Sequence, residues 1–425
     1  MDVKPVYLIC VDGNFGTQGH NKAYNMTPLG NGNFKAEWGR VGGNMSSKEY
    51  PMSKWDSTIR SKLAKGYVDR SADMQDVIED SKVEPTNNDD KDEFSVIQNI
   101  SVRTIIKRLF DYANKVVQAS YRVQASVVTQ AMIDHAQDKI DLLAQNYTHM
   151  SINDFNDNLQ ELFVIIPRKM RSVKQYLAND KTDFLKIIDR EQDTLDSMRG
   201  MVYKRVDKSV STTSNTSDND TISILDKMGI TMEDATDEDV AKIKKAMGDA
   251  AGKFYKAWRV TNKATEEAYQ EFVTKNNIGN RKLCCHGSRN QNFFNILKTG
   301  LKIRPSCAIY TGSLLGDSLY FSNPELWHGV AKSIGYTSLG GYWTGERQSC
   351  GFIAFFECAL GESHVIYTHD GWHNTTLKKI RSLGENVWSL HLKGSGHSGW
   401  NTVINDEITI YDERQVTIRY LVEIR

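Results

Sequence analysis

The carboxy-terminal third of the chain contains the residues whose types and spacing could carry chemistry. The run His286-Gly287-Ser288 follows an apolar stretch, and Tyr320 and Glu407 each lie in a short strand-like segment. A glycine beside a histidine lets a ligand approach the backbone, because glycine has no Cβ. A lone histidine, however, is more often structural, and a three-residue motif arises often by chance. These residues by themselves leave the reaction undecided.

Two common site types are disfavoured by motif context. No GxGxxG run follows a strand and opens a helix, so the sequence lacks the Rossmann signature for dinucleotide binding. Ser288 does not stand in a GxSxG elbow, which argues against a Ser-His-Asp hydrolase. Any nucleotide bound here is bound by another fold.

The elements that must position these residues are short apolar strands. Gly351 to Leu360, Glu407 to Asp412 and Gln415 to Ile424 read as buried strands among short helices. We therefore predict an α+β domain with a mostly antiparallel sheet at the carboxy-terminal end.

Two further segments precede this domain. Alternating patterns over Val6 to Val11 and Asn33 to Val41, followed by helical spacing over Ser53 to Lys65, predict a small α+β module. Apolar residues from Val102 to Phe110 then recur at helical spacing, which indicates an amphipathic helix.

The rest of the middle segment is also predicted to be helical, and its sequence by itself does not indicate any reaction. A second helix opens at Ser151, with Asp154 placed for a capping box, and Pro167 ends it. A third is predicted from about Thr182 to Met198, so the segment is interpreted as an all-α bundle.

Composition sets the broad class. A chain of 425 residues with 53 basic and 53 acidic residues is multidomain and carries no net charge, so a nucleic-acid partner would need a local patch. Polar stretches at Asp73 to Glu93 and Ser209 to Thr221 are predicted linkers. Six cysteines without CxxC spacing, and no long apolar run, favour a soluble intracellular protein with buried thiols.

Several collinear motifs resemble the donor site of poly(ADP-ribose) polymerases. They run over about 150 residues, namely Leu283 to Gly300, Gly300 to Ile303 with Gly312 and Gly316, Leu319 to Phe321, Ala331 to Tyr336, Gly351 to Gly361 and Asn405 to Asp412. The resemblance implies an ADP-ribosyltransferase fold that consumes NAD, releases nicotinamide and needs no metal.

The resemblance also implies a role for each matching residue. His286, Tyr320 and Glu407 would be the catalytic triad, with His286 on a ribose hydroxyl and Glu407 stabilising positive charge on the ribose. The NAD-binding set would be His286, Gly287, Ser288, Lys302, Tyr320, Ser333 and Tyr336. Lys302 stands where the family commonly has Arg, and Ser318 stands where it has glycine.

Motifs in the earlier segments resemble the DNA-dependent branch of the same family. Glu37 to Gly42 is similar to the signature of the WGR domain, which implies that Trp38 and Arg40 contact DNA breaks, at 5′-phosphorylated ends or nicks. The helices resemble the family's regulatory domain, and Asp189 and Asp193 would hold one helix against the NAD pocket. Both carboxylates are also typical of a solvated helix face.

The resulting expectation is a multidomain α+β enzyme. It comprises a WGR module at 1–82, an acidic linker at 83–95, an autoinhibitory helical domain at 96–202 and a catalytic domain at 203–425. The expected activity is DNA-break-stimulated poly(ADP-ribosyl)ation of proteins, including the enzyme itself, without a membrane partner. By analogy, the expected location is nuclear if the host is eukaryotic, and cytoplasmic or nucleoid-associated if the source is prokaryotic or viral. The alternatives are a mono-ADP-ribosyltransferase and a DNA-end-binding scaffold whose transferase domain is inert.

Overall fold

The computed structural model describes residues 3–72, 93–121, 128–202, 222–303, 315–326, 329–341, 347–395 and 403–425. Its contacts divide the chain into two units, Met1–Asn88 with Asn114–Val202, and Asp89–Ala113 with Tyr203–Arg425. Both predicted linkers lie almost wholly outside the described residues. No helix in the described part of the chain is long and apolar enough to cross a membrane.

The first unit opens with an antiparallel sheet and one helix. Its elements are β1 (Val6–Asp12), β2 (His20–Pro28), β3 (Asn33–Arg40), β4 (Met45–Pro51), α1 (Trp55–Leu63) and β5 (Val68–Asp69). The strands pair in the order β4-β3-β2-β1-β5. Trp55 of α1 packs edge-on against Phe34 of β3, with ring centroids 5.1 Å apart, so the helix covers the sheet. The two strands and the helix predicted from the sequence in this region are confirmed.

Helices complete the first unit. They are the end of α2 (Ile100–Ser120), then α3 (Gln130–Asn146), α4 (Ile152–Ile165) and α5 (Phe184–Met201). The Ser151 hydroxyl accepts a hydrogen bond from Asp154 N, and the Asp154 carboxylate accepts one in return, so the predicted capping box is confirmed. Helix α4 ends two residues before Pro167, as predicted. Phe155 and Phe184 stack with centroids 3.9 Å apart and join α4 to α5.

Two sheets form the frame of the second unit. The first contains β6 (Ile230–Asp234), β7 (Phe254–Asn262), β14 (Val416–Ile424), β10 (Gly351–Ala359) and β8 (Arg281–Ser288), in that order and antiparallel throughout. The second contains β11 (Glu362–Ile366), β12 (Val387–Leu392), β13 (Glu407–Ile410) and β9 (Leu319–Phe321), and only its β11–β12 pair is parallel. The mostly antiparallel α+β domain predicted from the sequence is confirmed.

Short helices surround these sheets. They are α6 (Ile224–Met228), α7 (Asp237–Met247), α8 (Lys263–Lys275), α9 (Phe293–Thr299), α10 (Ala331–Gly335) and α11 (Leu377–Arg381). Residues 330–341, which include α10, pack on the first sheet near β8 and bring Lys332 and Ser333 next to the end of that strand.

Residues 93–113 pack with the second unit, although the sequence had placed 96–113 in the helical domain. Arg108 forms an ion pair with Glu423 of β14, and Trp258 donates through Nε1 to the Ser101 hydroxyl at 2.9 Å. The first half of α2 therefore has polar partners in β7 and β14, two strands of the first sheet of the second unit.

Candidate active site

His286 lies near the end of β8, where a bridge joins the two sheets of the second unit. Cys285 N donates to Ser322 O at 2.8 Å and Ser322 N donates to Cys285 O at 2.9 Å, so β8 meets the residue that follows β9. The His286 Nδ1 atom lies 3.0 Å from Tyr320 O. Because a carbonyl only accepts, Nδ1 carries the proton and Nε2 is an acceptor.

The environment of His286 keeps its imidazole neutral. Burial lowers the pKa of His286, and the nearby Lys332 ammonium lowers it further, although the bond to Tyr320 O opposes both effects. A neutral ring that donates through Nδ1 can accept a ligand hydroxyl through Nε2. The ribose-binding role that the sequence predicts for His286 requires such an acceptor, and the role stays a prediction.

Gly287 is required by a close backbone approach. A Cβ built on Gly287 would lie 1.8 Å from the carbonyl oxygen of Ser333, so any side chain would displace α10 or β8. The Ser333 hydroxyl donates to Cys285 O at 3.0 Å and lies 2.8 Å from the Ser322 hydroxyl. Its proton is therefore engaged, and Ser333 can serve a ligand amide only as an acceptor.

Tyr320 is held in place through hydrogen bonds of its hydroxyl group. That hydroxyl accepts from Leu315 N at 2.8 Å and donates to Gly316 O at 3.2 Å. Tyr320 pairs with Thr409 across the β9–β13 ladder, which brings it beside the strand of Glu407. Burial, with the Glu407 charge as a smaller cause, raises the pKa of both Tyr320 and Tyr336. The phenol hydroxyls of both tyrosines therefore stay protonated.

Glu407 begins β13 and lies against a lysine that the sequence analysis did not assign. The Lys332 Nζ atom of α10 is 2.6 Å from Glu407 Oε1, and both side chains are only 9 % exposed. The other carboxylate oxygen, Glu407 Oε2, has no hydrogen-bond partner among the described residues. This buried oxygen is therefore available to a ligand.

The residue before Glu407 anchors the start of β13. The Asp406 carboxylate accepts from Gly394 N at 2.8 Å and lies 2.8 Å from His391 Nε2. Asp406 is 3 % exposed, so these contacts set where the strand begins and where the Glu407 side chain enters the site.

Ser288 and Lys302 have structural partners near the predicted NAD site. The Ser288 hydroxyl accepts from Asn292 Nδ2 at 3.0 Å. Lys302 Nζ lies 2.8 Å from Glu413 Oε2, with 39 % of its side chain exposed. Their roles in NAD binding stay predictions. Gly312 lies outside the described residues.

The two cysteines before His286 lie in the core, and the Cys285 thiol stays protonated. Cys284 and Cys285 are fully buried, and burial raises the pKa of Cys285 to about 12. The five cysteines in the described part of the chain carry no disulfide, which confirms the prediction of buried thiols for them.

A family model matches the part of the chain that contains this site. Residues 237–425 match the model of the poly(ADP-ribose) polymerase catalytic domain. The match supports a place in the poly(ADP-ribose) polymerase family. It also supports ADP-ribosyltransferase activity with NAD as the substrate, since His286, Tyr320 and Glu407 all lie in the matched region.

Curated relatives match over the same part of the chain. Poly [ADP-ribose] polymerase 1 of Danio rerio is 32% identical over 177 residues, which cover 38% of this chain and 16% of the relative. Uncharacterized protein 101L of Invertebrate iridescent virus 6 is 28% identical over 44% of this chain and 74% of the relative. Putative poly [ADP-ribose] polymerase-like 100L of the same virus is 28% identical over 40% of this chain and 86% of the relative. The chain thus spans about a sixth of the fish polymerase and most of the two viral proteins.

Trp38 and Arg40, predicted to bind DNA, lie at the end of β3 in the first unit. Arg40 donates through Nε to Met170 O at 3.0 Å and through Nη2 to Arg171 O at 2.5 Å. The Trp38 indole is half-buried and stacks on Tyr24, with centroids 5.9 Å apart. Arg40 is therefore tied to the segment that follows α4, a contact that sequence reasoning did not foresee.

Asp189 and Asp193 lie one turn apart on α5 and both are half-buried. Their predicted role toward the NAD pocket stays a prediction. The buried carboxylate of α5 is instead Glu191, which is fully buried and forms an ion pair with Arg168.

Proposed function

We propose that this protein is a poly(ADP-ribose) polymerase that transfers ADP-ribose from NAD to proteins and to growing chains. The observation that carries the proposal is the unpartnered, buried Glu407 Oε2 beside Lys332. Breaking the glycosidic bond of NAD builds positive charge on the ribose, and a nearby carboxylate stabilises that charge. The same oxygen can accept the proton of an attacking hydroxyl, which chain growth requires.

The other residues of the site bind and orient. Backbone groups of Gly287 and the Ser333 oxygen hold the nicotinamide amide, and His286 accepts a ribose hydroxyl through Nε2. Tyr320 and Tyr336 stack on the nicotinamide ring, because flat apolar faces with polar tips suit that role. Lys332 keeps the Glu407 carboxylate oriented through Oε1 and leaves Oε2 to react. Nicotinamide leaves when its bond to the ribose breaks, and the ADP-ribosyl group is transferred to the acceptor.

Product length tests the elongation step. Glu407→Gln should abolish or shorten polymer on a gel, with a loss of about 10²–10³ in turnover, since one aimed transition-state group is removed. NAD binding should persist. Glu362→Gln makes the same change at an exposed carboxylate of β11 and should leave chains unchanged. Wild-type chain lengths from the Glu407 variant would contradict the proposal, whereas single ADP-ribose units from the wild type would favour the mono-transferase alternative.

We further propose that DNA breaks stimulate this activity through the first unit. The proposal rests on the resemblance around Trp38 and Arg40 and on the Arg40 contacts to Met170 O and Arg171 O, which join the β-sheet module to the helices. A DNA phosphate that competes for Arg40 would release two backbone carbonyls and weaken that junction. The helical part would act as the restraint, so DNA would raise activity without adding a catalytic group.

Stimulation by nicked DNA tests this second proposal. Arg40→Ala should lose most of the stimulation and keep basal turnover, because Arg40 is not in the donor site. Arg60→Ala removes the same charge from an exposed position of α1 in the same module and should retain stimulation. Equal stimulation of the two variants would overturn the role of Arg40. An absence of turnover in every case would support the inert-scaffold alternative.

A further inference from the structure

A turn between β11 and α11 brings two imidazoles and one carboxylate together, outside the site described above. One ligand-capable atom from each of His369, Asp370 and His373 lies within 4.8 Å of the others. His369 Nδ1 is 3.6 Å from Asp370 Oδ1, and the two imidazole centroids are 5.1 Å apart. The donor set is typical of a metal ion that accepts nitrogen and oxygen ligands.

The backbone holds this turn in place. Trp372 N donates to His369 O at 3.0 Å, and Gly371 has a φ of 80°, a left-handed value that favours glycine at this turn position. Lys379 Nζ donates to Gly371 O at 2.8 Å and lies over the Trp372 ring. Trp372 packs against a buried apolar cluster of the second unit. These contacts fix the backbone of the turn.

One ring nitrogen of the cluster has no hydrogen bond. His369 Nδ1 is buried and has no hydrogen-bond partner among the described residues. Leaving a buried polar atom unpaired costs about 1–3 kcal/mol, so such an atom calls for a ligand. The Asp370 side chain is 83% exposed and His373 is also exposed, so an ion can reach the cluster from solvent.

We propose that His369, Asp370 and His373 bind one divalent first-row transition ion of the Zn²⁺ type, with water as the remaining ligand. Zinc takes nitrogen ligands at about 2.0–2.1 Å and carboxylate oxygen at about 2.0–2.2 Å, which places tetrahedral ligands about 3.3–3.5 Å apart. The distance of 3.6 Å between His369 Nδ1 and Asp370 Oδ1 is already near that value. Rotation of the exposed His373 ring would bring its nitrogen to a similar distance from the other two atoms. Calcium and magnesium prefer sets made of oxygen ligands and do not fit two imidazoles.

The position of the turn gives the ion a structural consequence. A Cβ on Gly316 would lie 2.4 Å from Thr375 O, so the backbone after the turn packs directly on the loop that carries Gly316. Gly316 O in turn accepts from the Tyr320 hydroxyl. Metal binding would stabilise the turn, and through it the support of Tyr320, without touching the reacting atoms.

Calorimetric titration of the chelator-treated full-length protein with ZnCl₂ tests the site. We expect one high-affinity equivalent that is lost in His373→Gln, whose exposed side chain can change without unfolding the domain. His364→Gln should keep that equivalent, because the His364 ring lies beside Trp372, with centroids 5.3 Å apart, but is not in the cluster. Asp370→Asn should weaken binding about tenfold or more, since it removes the anionic ligand.

Thermal unfolding gives a second, independent readout. Zinc should raise the Tm of the wild type and of His364→Gln, and should leave the Tm of His373→Gln unchanged, because only an ion bound to the folded state stabilises it. The same zinc equivalent in the wild type and in His373→Gln would overturn the proposal. So would the absence of zinc binding by the wild type, or an equal Tm rise in His373→Gln.

Discussion

The donor-site region and the sheet module of the first unit use buried or half-buried charged groups in opposite ways. In the donor site, Lys332 pairs with Glu407 Oε1, and Glu407 Oε2 has no hydrogen-bond partner among the described residues. In the first unit, Arg40 donates to the backbone carbonyls of Met170 and Arg171. The first arrangement is ready for a ligand, whereas the second holds two parts of the chain together.

Sequence resemblance is therefore stronger support for function in the donor-site region than in the sheet module of the first unit. Residues 237–425 combine donor-site motifs, the family match and a buried carboxylate oxygen without a hydrogen bond among the described residues, so three kinds of observation support the same chemistry. Around Trp38 and Arg40 the motif resembles a DNA-contacting domain, but its arginine is engaged with protein backbone. If DNA binds there, it must compete with those contacts, and binding is then linked to a change in the helices.

The largest expected effect comes from the buried charge pair of the first unit. Arg168 and Glu191 form an ion pair, and their side chains are 4% and 0% exposed. Glu191→Gln should lower the free energy of unfolding by about 3–5 kcal/mol, because it leaves the Arg168 charge buried without its anion. Denaturation monitored by fluorescence and circular dichroism measures the loss.

The matched control for this pair removes both charges. Arg168→Met with Glu191→Leu should cost much less than Glu191→Gln alone, because no uncompensated charge remains. Because Asn21 Nδ2 of the sheet module donates to Arg168 O, Glu191→Gln should also weaken the attachment of that module. An unfolding free energy within about 1 kcal/mol of the wild type would show that Glu191 is not holding the unit together.

The next effect concerns Lys332 and pH. Lys332→Met should lower kcat/KM about 10- to 100-fold, since a charge-assisted contact to a buried carboxylate is worth about 1.5–3 kcal/mol. Removing the ammonium also removes one cause that lowers the pKa of His286, so that pKa should rise toward its ordinary value of 6.5. The acid limb of the kcat/KM profile should therefore move to higher pH.

A lysine with another partner serves as the comparison for Lys332. Lys302→Met removes the ion pair between Lys302 and Glu413. The Lys302 side chain in this pair is 39% exposed. It should raise KM for NAD and leave the pH profile in place. If the acid limb of the kcat/KM profile does not move in Lys332→Met, then Lys332 does not influence the pKa of His286.

Removal of the helices tests the proposed restraint. A variant that replaces 122–202 with a flexible linker should turn over NAD without DNA about 10- to 100-fold faster than the intact chain. The reason is that a restraint lowers the apparent donor affinity by the fraction of competent molecules. Residues 93–113 must be kept, because Arg108 and Ser101 contact Glu423 and Trp258 of the catalytic strands.

The control for that deletion also removes 94–121. It should give a less stable protein, because the partners of Glu423 and Trp258 are lost. A folded 122–202 deletion, shown by a cooperative thermal transition, that still needs DNA would contradict autoinhibition by these helices.

The smallest effect concerns the salt dependence of DNA binding. Arg40→Ala should reduce the slope of log K against log salt by about one, because one phosphate contact is removed. Arg60→Ala changes the same charge at an exposed helix position and should leave the slope nearer to the wild-type value. Fluorescence anisotropy with nicked DNA at several salt concentrations measures both, and identical slopes would sink the assignment of Arg40.

The catalytic frame was predictable because its signals are local. The strand at Gly351 to Ala359 is almost continuously apolar, which is typical of a strand buried on both faces. Gly287 and His286 were found from their types, and the structure gives the reason for the glycine. Lys332 was missed, although a lysine directly before Ser333 in a segment resembling the donor site was a usable signal.

The remaining features depend on long-range contacts that no local pattern encodes. The partners of Arg40 lie 130 and 131 residues away, and the link between Arg108 and Glu423 spans 315 residues. The parallel β11–β12 pair depends on a crossover and not on alternation. For the same reason, residues 96–113 were assigned from the sequence to the helical domain, whereas in the structure they pack with the second unit.

Release of labelled nicotinamide from NAD, with and without nicked DNA, tests the central claim most directly. The claim is that the Glu407 carboxylate beside Lys332 catalyses ADP-ribose transfer in residues 237–425. The wild type should release nicotinamide and respond to nicked DNA, whereas Glu407→Gln should be slower by about 10²–10³ under both conditions. Equal release by the wild type and Glu407→Gln, or no release by the wild type with nicked DNA present, would contradict the account.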